Sequence, residues 1–465
     1  MVEAQQADVI VVGGGIAGMI AAVRCGQRGL RPVVLERLTD DRYVCNSRLT
    51  GGVFHLALND IRKPQEELAQ AVMDATGNTA DPTLAKLLAR SAKPVVDWLQ
   101  SLGIRFVRGT DLWQTFVLAP PGIAALGRQW QGRAGDVLLR TLEARLTELG
   151  GKVLRGHEAQ RLVMEAGRCA GVEVKTLNGA ATFRSRAVLL ADGGFQSNKE
   201  QLARHISPKP EEVVQRNAGT GLGIGLRMAR EVGAATSDLG SFYGHVLSRD
   251  ALKDDSLWPY PWLDELLKYY IVVGDNGRRF ADEGRGGVYI ANMIARRSCP
   301  ASTFVICDEE GWQTAGQERF LPPNPNFEKA GATLLRASSL RDVAALAGID
   351  ADALEAEVAG YNAAIDAGAL QGLTPARSTS KVPARPIRRG PFYALPAAAG
   401  ITYTMGGILI DGQARVLDHN RHPIPGLYAA GSTTGGIEGG PNTGYVGGLV
   451  KASTTGFAFA EGLAV

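Results

Sequence analysis

Three glycines near the start of the chain, in the arrangement Gly13-x-Gly15-x-x-Gly18, have the spacing that most clearly predicts chemistry. In this arrangement the first glycine makes a tight turn, the second lets the main chain approach a pyrophosphate, and the third lets a helix pack closely on a strand. An acid that bonds a ribose hydroxyl is expected about 20 residues further on, and Glu36 lies in that region. The spacing predicts a dinucleotide-binding site. The alternative is a glycine-rich turn that binds nothing.

The segments around this motif have the pattern of a strand, a helix and a second strand. Residues 9–12 are a β-branched apolar run that ends at glycine, residues 16–28 are small and apolar with late charges, and residues 32–35 are apolar. This order forms a βαβ unit, which places the unpaired N–H groups of the helix N-terminus beside bound phosphates. Further helices are predicted at residues 136–149, 287–297 and 351–364, and further strands at 153–155, 170–174, 181–183 and 187–191.

Composition restricts the class of protein. The chain of 465 residues is long enough for two or three domains at about 100 to 200 residues each. A net charge of +3, from 50 basic and 47 acidic residues without a polybasic tract, argues against nucleic acid binding. The apolar run from Val9 is broken by glycines and followed by arginines, so neither a signal peptide nor membrane insertion is expected. Five cysteines without a C-x-x-C pair and six histidines without an i,i+4 pair predict no disulfide framework and no metal site, and a cytoplasmic location is expected.

Glycine-rich segments recur far from the first motif, at residues 191–195, 429–432 and 447–449. Glycine accounts for 58 residues, and it is the residue used where the main chain comes close to other main chain or to a ligand. A nicotinamide dinucleotide is commonly held by one half-fold, whereas a long flavin dinucleotide meets main chain from several parts of a protein. The pattern therefore favours FAD.

These segments belong to a longer series of motifs in a fixed order. The series consists of residues 7–18 (ADVIVVGGGIAG), 46–52 (NSRLTGG), 191–195 (ADGGF), 277–283 (GRRFADE), 404–407 (TMGG) and 423–431 (PIPGLYAAG). Together they resemble the fumarate reductase/succinate dehydrogenase flavoprotein superfamily. The Asn-Ser-Arg run and the Asp-Glu-Gly that follows the Arg-Phe pair are most similar to its tricarballylate dehydrogenase branch.

The resemblance implies an α/β fold in which a Rossmann-like FAD-binding domain of the glutathione-reductase type is interrupted by an α+β capping domain. Aromatic residues and prolines concentrate in the middle of the chain, where we place the inserted domain. Residues 1–240 and 391–465 are expected to form the FAD-binding domain, and residues 241–390 the capping domain, with the substrate held between them. Noncovalent FAD is expected, because Cys45 fits a buried thiol better than a covalent link.

The cofactor-binding residues follow from the glycine motif and the resemblance. They are expected to be Gly13, Gly15, Ile16, Ala17, Gly18, Glu36, Arg37, Asn46, Ser47, Thr50, Gly51, Gly52, Ala159, Asp192, Gly193, Gly431, Ser432, Gly448 and Leu449. Ser432 stands where the family usually has a glutamate, and a hydroxyl can still bond the ribityl chain.

The resemblance also implies candidates for substrate binding and proton transfer. His245 stands where a family histidine helps to bind a substrate carboxylate; an interface histidine bonded to backbone is the alternative. Arg285 and Tyr289 follow residues 277–283, where fumarate reductases carry a proton-donating arginine and ketosteroid dehydrogenases a tyrosine. Position by position that arginine falls on Gly287, and a surface ion pair is the alternative role of Arg285.

Two further candidates are tyrosines in place of charged family residues. Tyr403 replaces a histidine with which fumarate reductases hold substrate, and Tyr445 stands where those enzymes have a carboxylate-binding arginine. A phenol can donate a hydrogen bond to a neutral carbonyl, but it cannot neutralise a carboxylate. Packing on the flavin is the alternative role of both tyrosines.

The expected function is that of an FAD-dependent dehydrogenase or reductase acting on a CH–CH or C=C bond next to a carbonyl or carboxyl group. Hydride would pass between a substrate carbon and flavin N5, and the loss of charged anchors favours a less charged, keto or cyclic substrate. The alternatives are a tricarballylate- or fumarate-like acid dehydrogenase or reductase, and a redox-inactive flavin-binding protein. The expected partners are a small-molecule substrate and an electron acceptor or donor that the sequence does not identify.

Overall fold

The centre of the fold is a six-stranded sheet. The structure, a computed structural model, describes residues 5–121, 129–257, 262–318 and 322–464. The strand order is Arg415–Leu417, Pro423–Ala429, Ala187–Leu190, Val9–Val12, Pro32–Glu36 and Lys152–Arg155, and all neighbours are parallel except the first pair. Val9–Val12 and Ala187–Leu190 are buried along their whole length, which explains why both are uninterrupted apolar runs. Strands from both ends of the chain therefore meet in one sheet.

Long helices lie beside this sheet. They are Ile16–Gln27, Gln65–Ala75, Pro82–Ser101, Ala134–Glu148 and Gly448–Gly462. Ile16–Gln27 contacts both Ala134–Glu148 and Gly448–Gly462. A Cβ atom on Gly456 would overlap the backbone of Ala17, so the helices at the two ends of the chain pack at a distance that only glycine permits.

Smaller elements extend this part of the molecule. A four-stranded sheet has the order Gln5–Gln6, Gly179–Arg184, Arg168–Thr176 and Glu158–Glu165, and a three-stranded sheet has the order Val53–Phe54, Phe116–Leu118 and Phe106–Val107. Two short helices are Lys199–His205 and Ile224–Glu231. Single 3-10 turns lie at Pro210–Glu212, Arg249–Leu252, Asp255–Leu257, Glu283–Arg285, Ala315–Gln317, Leu370–Gly372 and Gly431–Thr433.

A second large sheet is built around the 13-residue strand Phe392–Thr404. Different segments of this strand pair with Val214–Gln215, Phe242–Ser248, Thr303–Asp308 and Leu335–Ala337, and Ile271–Gly274 pairs with Thr303–Asp308. The helices of this region are Asp264–Leu267, Gly287–Ala295, Glu309–Gln313, Pro323–Lys329, Leu340–Ala347 and Ala351–Asp366. The boundary expected at residue 390 therefore falls just before a strand that belongs to this same sheet.

The local predictions from the sequence agree with these elements. Strand Val9–Val12, helix Ile16–Gln27 and strand Pro32–Glu36 confirm the predicted βαβ unit. The other predicted helices and strands are also present, and their ends differ from the prediction by one or two residues. Among the described residues, no helix combines the length and the apolar character that crossing a membrane requires.

Candidate functional site

One large cavity has a volume of about 1220 Å³. It lies between the loops and helices that accompany the two large sheets. It is lined by residues from the N-terminal motif, from the middle of the chain and from the last helix. All of the predicted cofactor-binding residues except Gly18 line it, namely Gly13, Gly15, Ile16, Ala17, Glu36, Arg37, Asn46, Ser47, Thr50, Gly51, Gly52, Ala159, Asp192, Gly193, Gly431, Ser432, Gly448 and Leu449. Gly18 lies beneath the surface, where a Cβ atom would overlap the carbonyl oxygen of Gly13.

The glycine motif forms one end of the cavity. Gly13 has a φ of +103°, and a Cβ atom on it would lie 2.7 Å from the carbonyl oxygen of Ala191. Gly15 is the N-cap of helix Ile16–Gln27 and offers no side-chain cap. The N–H of Ile16 donates to Oγ of Ser47 at 2.9 Å. A helix N-terminus whose N-cap glycine has no side chain, and which opens into a glycine-lined cavity, is suited to bind a pyrophosphate.

Two buried carboxyl groups lie near this end. Glu36 accepts the N–H groups of Gly14 and Leu38 at 3.2 and 2.9 Å, and burial raises its pKa. Asp192 accepts the N–H of Gly225 through Oδ2 at 2.8 Å, whereas its buried Oδ1 has no hydrogen-bond partner among the residues that the structure describes. Burial raises the pKa of Asp192 to about 6. A buried acceptor without a partner requires a donor, and a nucleotide hydroxyl or amine would supply one.

A second helix N-terminus with a glycine as its N-cap lies farther along the cavity. Gly447, with a φ of +118°, is the N-cap of helix Gly448–Gly462 and has no side-chain cap. A Cβ atom on Gly448 would lie 3.0 Å from the hydroxyl of Tyr403. This helix end therefore faces the part of the cavity that Tyr243, Tyr403 and Tyr445 line, which we call the aromatic chamber. Two helix ends, a glycine-lined wall and an acceptor without a partner fit an extended flavin dinucleotide, whose pyrophosphate and electron-rich ring edge both favour positive potential.

Three phenols form one wall of the aromatic chamber. The rings of Tyr243 and Tyr445 are stacked, with centroids 3.9 Å apart and planes 14° apart, and Tyr403 lies 5.4 Å from Tyr243. Burial, helped by the nearby Glu438, raises the pKa of Tyr403 well above its usual value. Burial is also the main cause that raises the pKa of Tyr445 well above its usual value, and the neighbouring Tyr243 and Glu438 raise it further. The phenols of Tyr403 and Tyr445 are therefore neutral hydrogen-bonding groups at neutral pH.

A buried ion pair holds the hydroxyl end of Tyr403 in place. The hydroxyl of Tyr403 donates to Oε1 of Glu438 at 2.9 Å, and Oε2 of Glu438 accepts from Nζ of Lys451 at 2.9 Å. The N–H of Val446 also donates to Oε1 at 3.2 Å. Since the side chains of Glu438 and Lys451 are both inaccessible to solvent, this pair fixes the end of the phenol inside the protein.

His245 is held by neighbours at both ring nitrogens. Its Nε2 lies 3.0 Å from the hydroxyl of Tyr243, and its Nδ1 lies 2.6 Å from Oδ2 of Asp264. The indole of Trp262 stacks on the imidazole with centroids 4.0 Å apart. Burial lowers the pKa of His245 despite the carboxylate of Asp264. A neutral imidazole with both nitrogens occupied is poorly suited to bind a substrate carboxylate.

Arg285 and Tyr289 line another part of the same cavity. The guanidinium of Arg285 lies 3.9 Å from the ring centroid of Tyr289, and it donates to the carbonyl of Pro441 and, at 2.7 Å, to Oδ1 of Asn442. Lys381, also in the lining, lies 3.4 Å from the carbonyl oxygen of Arg285. Two cationic residues, Arg285 and Lys381, thus line this wall.

A surface ion pair was the alternative role of Arg285. Its two acidic neighbours in the sequence, Asp282 and Glu283, both have other contacts. Glu283 forms a fully buried ion pair with Arg279 at 2.6 Å. Asp282 accepts the N–H groups of Gly284 and Ser378. The guanidinium of Arg285 is instead bound across to the segment around Asn442.

Several lining residues are not among those predicted from the sequence, namely Tyr243, His55, Trp262, Asp264 and Lys381. Tyr243 and His245 alternate along the strand Phe242–Ser248, so the Tyr-x-His spacing predicts one shared face and could have drawn attention to Tyr243. The partnership of His245 with Asp264, by contrast, depends on tertiary packing.

The fold and the site define an FAD-binding α/β oxidoreductase. A family profile described as "FAD binding domain" matches residues 8–445, and the chain belongs to this family. The resemblance to the fumarate reductase/succinate dehydrogenase flavoprotein superfamily is confirmed. FAD is therefore the cofactor. The residues that fit FAD lie in the lining of the glycine-lined cavity.

Individual relatives support this assignment. A cytochrome-type fumarate reductase of Shewanella frigidimarina is 25% identical over 453 residues, which cover 93% of this chain and 72% of the relative. A 4-oxocyclohexanecarboxylate 2-dehydrogenase of Sinomonas cyclohexanicum is 25% identical over 523 residues, covering 92% of this chain and 87% of the relative. The 3-ketosteroid Δ1-dehydrogenase of Sterolibacterium denitrificans has the same fold, with a TM-score of 0.74 and 21% identity over 98% of this chain and 99% of that one.

Proposed function

We propose that this flavoenzyme is a dehydrogenase or reductase that acts on a CH–CH or C=C bond next to a carbonyl group. One observation carries the proposal: a single cavity joins the glycine-lined cofactor wall to a chamber of buried phenols and a neutral histidine. When bound, FAD accepts or supplies the hydride. The protein then has to hold the carbonyl, exclude water and move one proton. In this proposal a Rossmann-like FAD-binding domain, interrupted by an α+β cap, surrounds the substrate.

The phenols favour a carbonyl over a carboxylate as the activating group. Tyr403 and Tyr445 occupy the positions at which charged anchors were implied, and near the N-terminus of helix Gly448–Gly462 Tyr403 is buried and Tyr445 is partly buried. A phenol can donate to a neutral carbonyl oxygen, and the helix end stabilises the negative charge that develops on that oxygen during proton removal. The proposed substrate is therefore a ketone, and the flat aromatic walls suit a ring.

A carboxylic acid substrate is the second candidate, and a specific pair of residues favours it. Arg285 and Lys381 stand together in the cavity lining, where burial and the charge of Arg285 lower the pKa of Lys381. An anionic group placed between them would relieve this repulsion. A tricarballylate- or fumarate-like acid would use both cations, and a cyclic keto acid would use the cations at one end and the phenols at the other.

Anaerobic mixing of the FAD-loaded protein with candidate substrates tests these proposals. Cyclohexanone and a 3-ketosteroid are expected to bleach the oxidised flavin, and 2-cyclohexen-1-one is expected to reoxidise the reduced flavin. Succinate, tricarballylate and fumarate are the matched acids. Efficient turnover of a di- or tricarboxylate, with no reaction of the ketones, would replace the ketone proposal by the acid one.

The same experiment addresses a redox-inactive flavin-binding protein. Such a protein would stay yellow with every ketone and acid, and its dithionite-reduced form would not react with unsaturated acceptors. We propose a cytoplasmic location, which the five free cysteines support because a reducing compartment maintains thiols. A separate electron carrier that meets the reduced flavin completes the proposal.

A further inference from the structure

A line of hydrogen bonds leads from the phenol wall to Asp264. Nδ1 of His245 lies 2.6 Å from Oδ2 of Asp264, and the other oxygen of Asp264 accepts the N–H of Val246 at 2.8 Å. Since the carboxylate oxygens act as acceptors, the hydrogen of the neutral imidazole is on Nδ1. Nε2 is then an acceptor, and it lies 3.0 Å from the hydroxyl of Tyr243, which donates to it.

The surroundings keep His245 neutral and in place. Trp262 stacks on its ring, and Arg216 faces it from the segment after strand Val214–Gln215. Burial lowers the pKa of His245, Asp264 and Glu265 oppose this effect, and Arg216 adds to it. At neutral pH Nε2 of the imidazole is therefore unprotonated and can take up the proton of the hydrogen bond that it accepts, and Asp264 would stabilise the charged form.

We infer that Tyr243 transfers the substrate proton, and that His245 and Asp264 are positioning residues that receive and balance it; the inference rests on the proposed function. In dehydrogenation the C–H bond next to the carbonyl breaks, its proton goes to Oη of Tyr243, and the hydroxyl proton of Tyr243 moves to Nε2 of His245. The bonding electrons form the new C=C bond while the hydride on the adjacent carbon leaves to oxidised FAD. In reduction every transfer is reversed.

The location of Tyr243 suits this role. Its ring is stacked on Tyr445 and lies near Tyr403, so its hydroxyl is close to the groups proposed to hold the carbonyl. The proton to be moved is on the carbon next to that carbonyl, and such closeness is what proton transfer requires. Arg285 lines the same cavity, but its guanidinium is already protonated and donates to Pro441 and Asn442, so in dehydrogenation it has no free site for the substrate proton.

Kinetics of the FAD-loaded enzyme test the hydroxyl of Tyr243. Flavin bleaching by cyclohexanone and by 4-oxocyclohexanecarboxylate is followed anaerobically in wild type, in Tyr243→Phe and in the control Tyr428→Phe. Tyr428 packs on Phe459 and is not part of the cavity lining. Tyr243→Phe keeps the stacking ring, so we expect bleaching at least about 100-fold slower, with half-saturation changed less than about threefold. The control is expected to match wild type.

Asp264→Asn tests the positioning residues. The amide would donate to Nδ1 and move the ring hydrogen to Nε2, so Tyr243 could no longer pass its proton on. We expect slower bleaching and, because a charged His245 loses its stabilising carboxylate, a changed pH profile at acid pH. ¹⁵N NMR of histidine-labelled protein, with the His245 signal assigned by His245→Gln, reads the tautomer without any substrate.

Each outcome of these experiments either supports or overturns the inferred proton transfer through Tyr243. The inferred proton relay runs from the substrate through Tyr243 to His245. It is supported if Nε2 of His245 is unprotonated in wild type and protonated in Asp264→Asn, and if flavin bleaching by Tyr243→Phe is slow. If wild type reacts while Tyr243→Phe stays within about threefold of it, or if Nε2 of wild type carries the proton, the relay is overturned and the proposed function stands. If wild type reacts with neither these ketones nor the acids, the proposed function and the relay fail together.

Discussion

Gly287 lies directly against the carboxylate of Asp264, so that a Cβ atom on Gly287 would overlap Cγ and both carboxylate oxygens. Gly287 begins helix Gly287–Ala295, and Asp264 begins helix Asp264–Leu267. The resemblance implied a proton-donating arginine at residue 287. No side chain fits there while Asp264 holds His245, and this contact gives the departure from the family pattern a physical cause.

Gly287→Ala is therefore expected to displace Asp264 and slow catalysis. The new methyl group would force the carboxylate away from Nδ1 of His245, because a Cβ atom has no room beside it. We expect flavin bleaching by a ketone to slow about tenfold or more, while the content of bound FAD stays unchanged. Stopped-flow absorbance and the flavin-to-protein ratio measure the two effects.

Gly360→Ala is the matched control. Gly360 lies inside helix Ala351–Asp366, and a Cβ atom on it would meet nothing within 4 Å. This change should leave bleaching unaltered and add up to about 1 kcal/mol of stability through helix propensity. Equal activities of Gly287→Ala, Gly360→Ala and wild type would contradict the importance of the contact with Asp264.

Lys451→Met is expected to destabilise the protein strongly. Lys451 and Glu438 form an ion pair in which neither side chain is accessible to solvent, so removal of the cation leaves a buried carboxylate without its partner. Such losses cost about 3–5 kcal/mol. The double variant Lys451→Met/Glu438→Gln should recover part of this loss. Urea unfolding of wild type, Lys451→Met, Glu438→Gln and the double variant measures the coupling, and strictly additive effects would contradict it.

The local elements and the glycine-rich segments that line the cavity could be recognised in the sequence, because both are short-range patterns. A β-branched run, a glycine turn and a small-residue helix specify the βαβ unit within residues 9–36. The sheet around Phe392–Thr404 was harder to predict, since its partners come from distant segments. The contact of His245 with Asp264 likewise joins a strand to a separate helix, and no spacing rule predicts it.

The stability of the protein is expected to fall between pH 6.5 and 4 because of His55. Burial lowers the pKa of His55 from 6.5 to about 4, so in this range the unfolded chain binds a proton that the folded protein does not. The free energy of unfolding therefore decreases as the pH falls, by up to about 3 kcal/mol from this group.

His55→Gln isolates this effect, because glutamine does not titrate. Urea unfolding at pH 7 and pH 4.5, with FAD at the same saturating concentration, should show a smaller loss of stability in the variant than in wild type. The same loss in both proteins would assign the pH dependence to other groups.

FAD affinity is expected to decrease as the pH falls through about 6 because of Asp192. In the free protein burial raises the pKa of Asp192 to about 6, and no donor in the described part of the chain reaches its Oδ1. A hydroxyl of FAD that donates to this oxygen favours the ionised carboxylate, so binding is strongest above this pH and weakens as the group becomes protonated. Titration of apoprotein with FAD from pH 5 to 8, followed by flavin fluorescence, should show this slope in wild type and a flatter one in Asp192→Asn, whose amide cannot ionise. A slope of equal size in the variant would mean that Oδ1 of Asp192 does not accept a hydrogen bond from the cofactor.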